Sequence, residues 1–172
     1  MKGLNYMLSY YFRPMTKEYA SQICSWKYDE PYSIYNLDGS DETINELMSD
    51  EYYCTLNSKN TLIGFICSGN SARVPGGYPA GIYNNDKLVD IGLGLDPDLT
   101  GKGKGVDFLS HALRFLNTHH NAQQFQLVVA TFNERAINVY ERVGFKKEVH
   151  FTSMINGQET EFVSMTYVCE ER

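Results

Sequence analysis

The sequence predicts one α/β domain (α+β in some classifications), built on a mixed, mostly antiparallel, twisted sheet of about seven strands with flanking helices. Its 172 residues are a usual length for a single domain. Strand and helix patterns alternate in the second half of the chain, which indicates parallel strands there. Hairpin signals towards both ends of the chain indicate antiparallel strands as well.

The first third of the chain predicts one strand followed by two helices. Met7–Phe12 predicts the strand, and Thr16 is the predicted N-cap of a helix that runs to Trp26. After an aromatic stretch that a proline interrupts, Ser40 is the predicted N-cap of a short helix within Asp41–Asp50.

The middle of the chain predicts three strands and a long loop. Glu51–Leu56 and Thr61–Ser68 are apolar runs joined by the turn sequence Asn57–Asn60, which is typical of a hairpin. Gly69–Asn85 is the longest predicted loop, and long loops in compact domains are often functional. Lys87–Leu95 predicts the next strand.

The last third predicts a helix, a buried strand, a second helix and a closing hairpin. The first helix has one apolar stripe, formed by Val106, Leu109, Leu113 and Leu116. Phe125–Thr131 is a continuous apolar run, as expected for a central strand. A helix to Val143 follows, with Gly144 as its C′ glycine. Phe145–Ile155 and Glu159–Val168 flank Asn-Gly, a strong type I′ turn signal.

Charge and composition exclude several function classes. The net charge is −6 and the isoelectric point is near 5.2, which argues against binding to duplex nucleic acid. No apolar run reaches the roughly 18 residues of a membrane span. Because Met1–Phe12 lacks the apolar core of a signal peptide, we expect a cytosolic protein.

Cysteine and histidine spacing gives no sign of a metal site. The four cysteines are far apart and form no C-x-x-C pair, so we expect buried or half-buried thiols. They are Cys24, Cys54, Cys67 and Cys169. The four histidines form neither an H-E-x-x-H motif nor a zinc-type cluster with cysteine.

A glycine-rich turn follows the strand that ends at Leu95 and precedes a helix. Its sequence, Thr100-Gly101-Lys102-Gly103-Lys104-Gly105, alternates glycine with lysine. Glycine permits positive φ and close approach of a ligand, and free N–H groups at a helix start can bind an anion. The spacing fits neither the P-loop nor the G-x-G-x-x-G dinucleotide motif. A flexible basic turn without a ligand is the alternative.

A second motif begins directly after the central strand. Residues Asn133 to Phe145 contain the pattern N-x-x-A-x-x-x-Y-x-x-x-G-F. Taken alone, it is an amphipathic helix capped by Asn133, with Ala136 and Tyr140 among its inward residues.

Together, the two motifs resemble the GNAT superfamily of N-acetyltransferases, which bind acetyl-coenzyme A. The resemblance is carried by roughly Leu88 to Phe151, and the element order fits nearly the whole chain. The family's pyrophosphate motif reads Q/R-x-x-G-x-G/A, and Thr100 stands here at its first position. The resemblance implies a splayed central strand pair, an acceptor-side half at 1–85 and an acetyl-CoA-binding half at 86–172.

The resemblance also implies acetyl-CoA as co-substrate, without a metal. The diphosphate would bind the main chain of the glycine-rich turn, and the acyl arm would lie between two splayed strands. A main-chain N–H near the end of the first of these strands would polarise the thioester carbonyl. The implied cofactor-binding residues are Leu93, Gly94, Leu95, Thr100, Gly101, Lys102, Gly103, Lys104, Gly105, Asn133, Ala136 and Tyr140.

Two residues are candidates for proton transfer. Tyr140 is the family's residue for protonating the leaving thiolate; a core tyrosine is the alternative. Asp90 lies in the strand that GNAT enzymes often use for a carboxylate acting as a base through water. A solvent-facing or loop-anchoring aspartate is the alternative for Asp90.

The acceptor side is less specific in sequence. Its aromatic stretch looks similar to bacterial GNAT enzymes related to aminoglycoside and ribosomal-protein N-terminal acetyltransferases. The candidate substrate-binding residues are Trp26, Tyr28, Glu30, Tyr32 and Tyr35, with Asp29 as a further acidic candidate. The rings would contact a cation or simply form core. We expect a small cationic amine or a peptide N-terminus as acceptor, no nucleic acid or membrane partner, and a monomer or homodimer. A non-catalytic acyl-CoA sensor is the alternative function.

Overall fold

The computed structural model describes residues 9–170, with seven strands and four α-helices in the predicted order within that range. The elements are β1 (Tyr11–Pro14), α1 (Lys17–Cys24), α2 (Asp41–Leu47), β2 (Tyr52–Leu56), β3 (Leu62–Ser68), β4 (Leu88–Leu95), α3 (Gly105–His120), β5 (Gln124–Ala130), α4 (Glu134–Val143), β6 (Lys146–Ile155) and β7 (Gln158–Val168). Met7 and Leu8, part of the predicted first strand, lie outside the described residues. Among residues 9–170, none of the helices has the length and hydrophobicity of a transmembrane span.

The strands form one mixed sheet in the order β1-β2-β3-β4-β5-β7-β6. Only the central β4–β5 pair is parallel, and every other neighbouring pair is antiparallel. The predicted fold class is therefore confirmed. The closing turn has Asn156 at φ 50° and Gly157 at φ 77°, as its sequence predicts.

Side-chain caps fix where three helices begin. The Thr16 hydroxyl accepts a hydrogen bond from the amide of Tyr19 at 3.2 Å, and Ser40 accepts from that of Thr43 at 3.2 Å. The Asn133 side-chain oxygen caps α4 in the same way. All three predicted N-caps are confirmed. The helix from Thr16 ends at Cys24, two residues before the predicted Trp26.

Apolar clusters cover both faces of the sheet. On β3, Ile66 belongs to the core under α3 and α4, whereas the adjacent Phe65 packs against the core under α1 and α2. Because successive strand residues point to opposite faces, these are two separate layers. Helices therefore flank the sheet on both sides.

The central strands separate after a short region of pairing. β4 and β5 pair only from Leu88 with Gln124 to Asp90 with Gln126. Beyond Asp90, each strand remains paired only with its outer neighbour, β3 or β7. The predicted splay is confirmed, and it opens a gap in the middle of the sheet.

Candidate active site

A cleft of about 580 Å³ occupies the gap between β4 and β5. Its walls come from both strands, the glycine-rich turn, α4 and the aromatic stretch after α1. It brings together every predicted site residue except four, namely Asp90, Lys102, Glu30 and Asp29. The sequence-predicted cofactor and acceptor groups thus share one cavity.

The end of β4 presents unpaired main-chain groups to this cleft. The amide of Asp96 donates to Ile63 of the neighbouring strand at 2.8 Å. Because hydrogen-bonding groups alternate sides along an antiparallel strand, the N–H groups of Leu93 and Leu95 point away from β3, into the gap. The N–H of Gly94 points towards β3 instead, so Leu95 is the better candidate for polarising a carbonyl.

The aromatic stretch is anchored to the same strand end. The Tyr28 hydroxyl donates to the carbonyl oxygen of Leu95 at 2.7 Å, and its amide donates to Asn36 at 2.8 Å. Burial, with a smaller contribution from the charge of Asp96, raises the pKa of Tyr28. Tyr28 is therefore a neutral donor that fixes one wall of the cleft.

The glycine-rich turn has the geometry of an anion cradle. Gly101 and Gly103 have φ values of 72° and 75°, which favour glycine. Apart from its two chain neighbours, no described residue has a heavy atom within 4 Å of a Cβ placed on Gly103, so the main chain there is open to a ligand. Lys104 precedes α3 without a side-chain cap, which leaves the first N–H groups of α3 available.

The other residues of this turn pack against a helix, support the turn or are exposed to solvent. A Cβ on Gly105 would lie 3.0 Å from Val139, so Gly105 allows close packing of α3 against α4. The Thr100 hydroxyl donates to the carbonyl of Pro97 at 2.7 Å and supports the turn from within. Lys102 is exposed and outside the cleft wall.

Sequence reasoning missed two cations of the cleft wall, Arg135 and Arg142. The guanidinium carbon of Arg135 lies 4.5 Å from the centre of the Tyr32 ring. The two arginines are seven residues apart on α4, about two helical turns, and so share a face. The seven-residue spacing could have been recognised in the sequence. With Lys104, they place three positively charged side chains on the wall of the cleft.

Tyr140 lines the cleft and supplies a side-chain hydroxyl. It is half-buried, and its ring centre lies 6.0 Å from that of Phe145. Burial and, secondarily, nearby Tyr35 raise its pKa, so the hydroxyl stays protonated. Within residues 9–170, no hydrogen bond engages this hydroxyl. It is a free proton donor at the position where the resemblance places the acid.

Both polar atoms of the Asn133 side-chain amide form hydrogen bonds. Its oxygen accepts from the amide of Ala136 at 3.2 Å, and its nitrogen donates to the Tyr35 hydroxyl at 3.3 Å. Burial raises the pKa of Tyr35, and the bond from Asn133 opposes this rise. Asn133 thereby connects the start of α4 to the aromatic stretch. Its expected contact with the acyl arm stays a prediction.

Asp90 lies outside the cleft and has two protein partners. Its carboxylate accepts from Nε of Arg73 at 2.8 Å and from Nε2 of Gln126 at 2.9 Å. Gln126 also donates to the carbonyl of Ile82 at 2.8 Å. Arg73 and Ile82 belong to the long loop 69–85. These contacts fit a loop-anchoring aspartate, the alternative to a base.

Replacing Asp90 with asparagine should therefore affect stability and not proton transfer. The free energy of unfolding in urea should fall by about 1–3 kcal/mol, because a nearly buried charged hydrogen bond to Arg73 is weakened. The exposed Asp86, directly after this loop, provides the control, and Asp86→Asn should change little. A deficit in turnover confined to neutral pH and recovered at high pH would restore Asp90 as the base.

The acceptor side of the cleft is mainly aromatic. Trp26 is buried, and its ring stacks on that of Phe65 with centres 6.3 Å apart. A Cβ on Gly94 would lie 2.3 Å from the Phe65 ring, so that ring covers the strand directly. Glu30 is exposed and accepts a hydrogen bond from the Ser33 hydroxyl, away from the cleft wall.

Solved structures share this fold. A chimera of the spermidine N-acetyltransferase SpeG from Vibrio cholerae and hSSAT is 20% identical, with a TM-score of 0.66, over 92% of this chain and 95% of that one. A GNAT-family acetyltransferase from Bacillus anthracis is 15% identical, with a TM-score of 0.71, over 94% of this chain and 96% of that one. No curated protein shows a significant sequence match.

The family assignment comes from the sequence itself. Residues 19–145 match the sequence model described as the acetyltransferase (GNAT) family, which is most of the chain. This span includes most of α1 and the aromatic stretch as well as both motifs of the second half. The chain therefore belongs to the GNAT family of acetyltransferases and is an acyltransferase enzyme.

Proposed function

We propose that this enzyme transfers an acetyl group from acetyl-CoA to a primary amine, either a small molecule or a peptide N-terminus, with both substrates bound together. One observation carries the proposal. The open glycine-rich turn, the unpaired edge of β4 and the free hydroxyl of Tyr140 all face the same cleft. Residues 86–172 would hold acetyl-CoA, and 1–85 would supply most of the acceptor side.

The residues present suit acetyl-CoA. A diphosphate needs several donors and positive charge, which the main chain from Gly103 into α3 and the side chain of Lys104 can supply. Arg135 and Arg142 add charge along the same wall. The acyl arm contains amide groups. Apart from the Leu95 carbonyl, which is bonded to Tyr28, the main-chain groups of β4 that face the gap can bind them as an added strand would.

Acetyl-CoA supplies an activated acetyl thioester when it is bound. The N–H of Leu95 can donate to a carbonyl oxygen on which negative charge develops. The Tyr140 hydroxyl can donate its proton to a leaving thiolate, whose ordinary pKa is about 8.5 against about 10 for tyrosine. Burial raises the pKa of Tyr140, and it would disfavour a leaving thiolate in the same cleft in the same way.

Two measurements on the intact chain test this function. Acetyl-CoA should raise the melting temperature, because a ligand that binds only the folded state stabilises it. Thiol release from acetyl-CoA should then accelerate when a suitable primary amine is added. If acetyl-CoA left the melting temperature unchanged at millimolar concentration, the proposed co-substrate would be wrong.

A further inference from the structure

The cleft wall contains cations but no acidic side chain. Among its lining residues in the described range, none is aspartate, glutamate or histidine. The charged or titratable groups that face the cavity are Tyr28, Tyr32, Tyr35, Lys104, Arg135, Tyr140 and Arg142. An ammonium group entering this cavity therefore meets no anionic side chain on the wall.

Acidic residues near the acceptor side have partners elsewhere. Asp38 accepts from the amide of Ser40 at 2.9 Å at the start of α2. Asp96 accepts from the amide of Asp98 at 2.9 Å in the turn after β4. Glu30 points out to Ser33, and Asp90 is held by the loop below the cleft. None of these carboxylates lines the cavity.

Several of the aromatic rings already have partners within the protein. The Tyr32 ring already has the guanidinium of Arg135 at 4.5 Å. Trp26 stacks on Phe65, and Phe65 covers Gly94. What these residues offer, with Ile23 and Leu37 beside them, is apolar surface. Such a surface favours an apolar body over a polycation.

We infer that, if the proposed acetyl transfer is correct, the acceptor is a weakly basic α-amino group next to an apolar side chain, and not a polyamine. An α-amino group has a pKa of roughly 7.7–8.0, so about one molecule in seven is neutral at pH 7. An alkyl amine with a pKa near 10.4 is neutral in only about one molecule in 2,500. Only the neutral form can attack, and the wall holds no carboxylate to deprotonate the other.

Turnover of matched amines tests this acceptor class. Phenylalaninamide and a short peptide with N-terminal phenylalanine represent the free and peptide-borne forms of the same chemistry, and spermidine represents polyamines. At pH 7, we expect kcat/KM for the better phenylalanine compound to exceed that for spermidine by about 10²-fold or more, from the neutral fractions alone. The logarithm of kcat/KM should rise with pH until the acceptor's own pKa and then level off.

Two substitutions at one position differ only in whether they introduce a negative charge. Leu37 is half-buried and lines the acceptor side. Leu37→Glu should shift the ratio of kcat/KM values towards spermidine by at least tenfold, whereas the neutral Leu37→Gln should not. The glutamine variant separates the effect of charge from that of lost packing.

The outcomes separate this inference from the function on which it rests. If spermidine is acetylated as well as or better than both phenylalanine compounds, the acceptor class is wrong and acetyl transfer to amines stands. If none of the three amines accelerates thiol release although acetyl-CoA stabilises the fold, the acceptor class is again wrong. If acetyl-CoA does not bind at all, the proposed function itself fails.

Discussion

Gly103→Val is expected to abolish the rise in melting temperature that we predict for the wild-type protein with acetyl-CoA. Gly103 has a φ of 75°, and a Cβ there would project into open space where the ligand should approach. Valine would both occupy that space and strain the left-handed backbone of the turn, by about 1–2 kcal/mol. Thermal unfolding with and without acetyl-CoA measures the effect.

Gly157→Val is the matched control for this change. Gly157 has a φ of 77° and likewise no heavy atom within 4 Å of an added Cβ, but it lies in the β6–β7 turn. It should lose comparable stability and keep the full response to acetyl-CoA. An undiminished response in Gly103→Val would mean that the diphosphate binds elsewhere.

Tyr140→Phe is expected to reduce turnover by about 10²–10⁴-fold while leaving acetyl-CoA affinity nearly unchanged. The reason is that the variant keeps the ring against Phe145 and loses only the hydroxyl, which has no hydrogen-bond partner within residues 9–170. Thiol release with a productive amine gives the rate, and the shift in melting temperature reports cofactor binding.

Tyr167→Phe provides the comparison for Tyr140. Tyr167 also packs against Phe145, stacked with ring centres 5.2 Å apart, but it does not line the cleft. Its variant should retain ordinary turnover. Equal, small losses in both variants would leave Tyr140 with a packing role alone.

Local features of this fold were predictable because they depend on nearby residues. Thr16, Ser40 and Asn133 each cap a helix within three residues of themselves, so the sequence reveals the cap directly. The same holds for the positive φ values of Gly101 and Gly103. The splay between β4 and β5 was expected only from the family resemblance.

The roles of Asp90 and Tyr28 depend on contacts with residues far away in the sequence, so they could not be predicted from it. The sequence leaves Asp90 either as a base or as a solvent-facing or loop-anchoring residue, because its partner Arg73 lies 17 residues away in a loop without periodic pattern. Likewise, Tyr28 reaches the carbonyl of Leu95 across 67 positions of sequence. Strand parity alone places a side chain on a face; it does not say which loop covers that face.

Amide hydrogen exchange in the presence of saturating coenzyme A tests the central claim most directly. That claim is that main-chain groups of the glycine-rich turn and of the free edge of β4 bind the acetyl donor. We predict slower exchange in peptides covering 101–108 and 91–96, with no change at the control turn 156–158. Unchanged exchange in both predicted segments, at a concentration that raises the melting temperature, would contradict the claim.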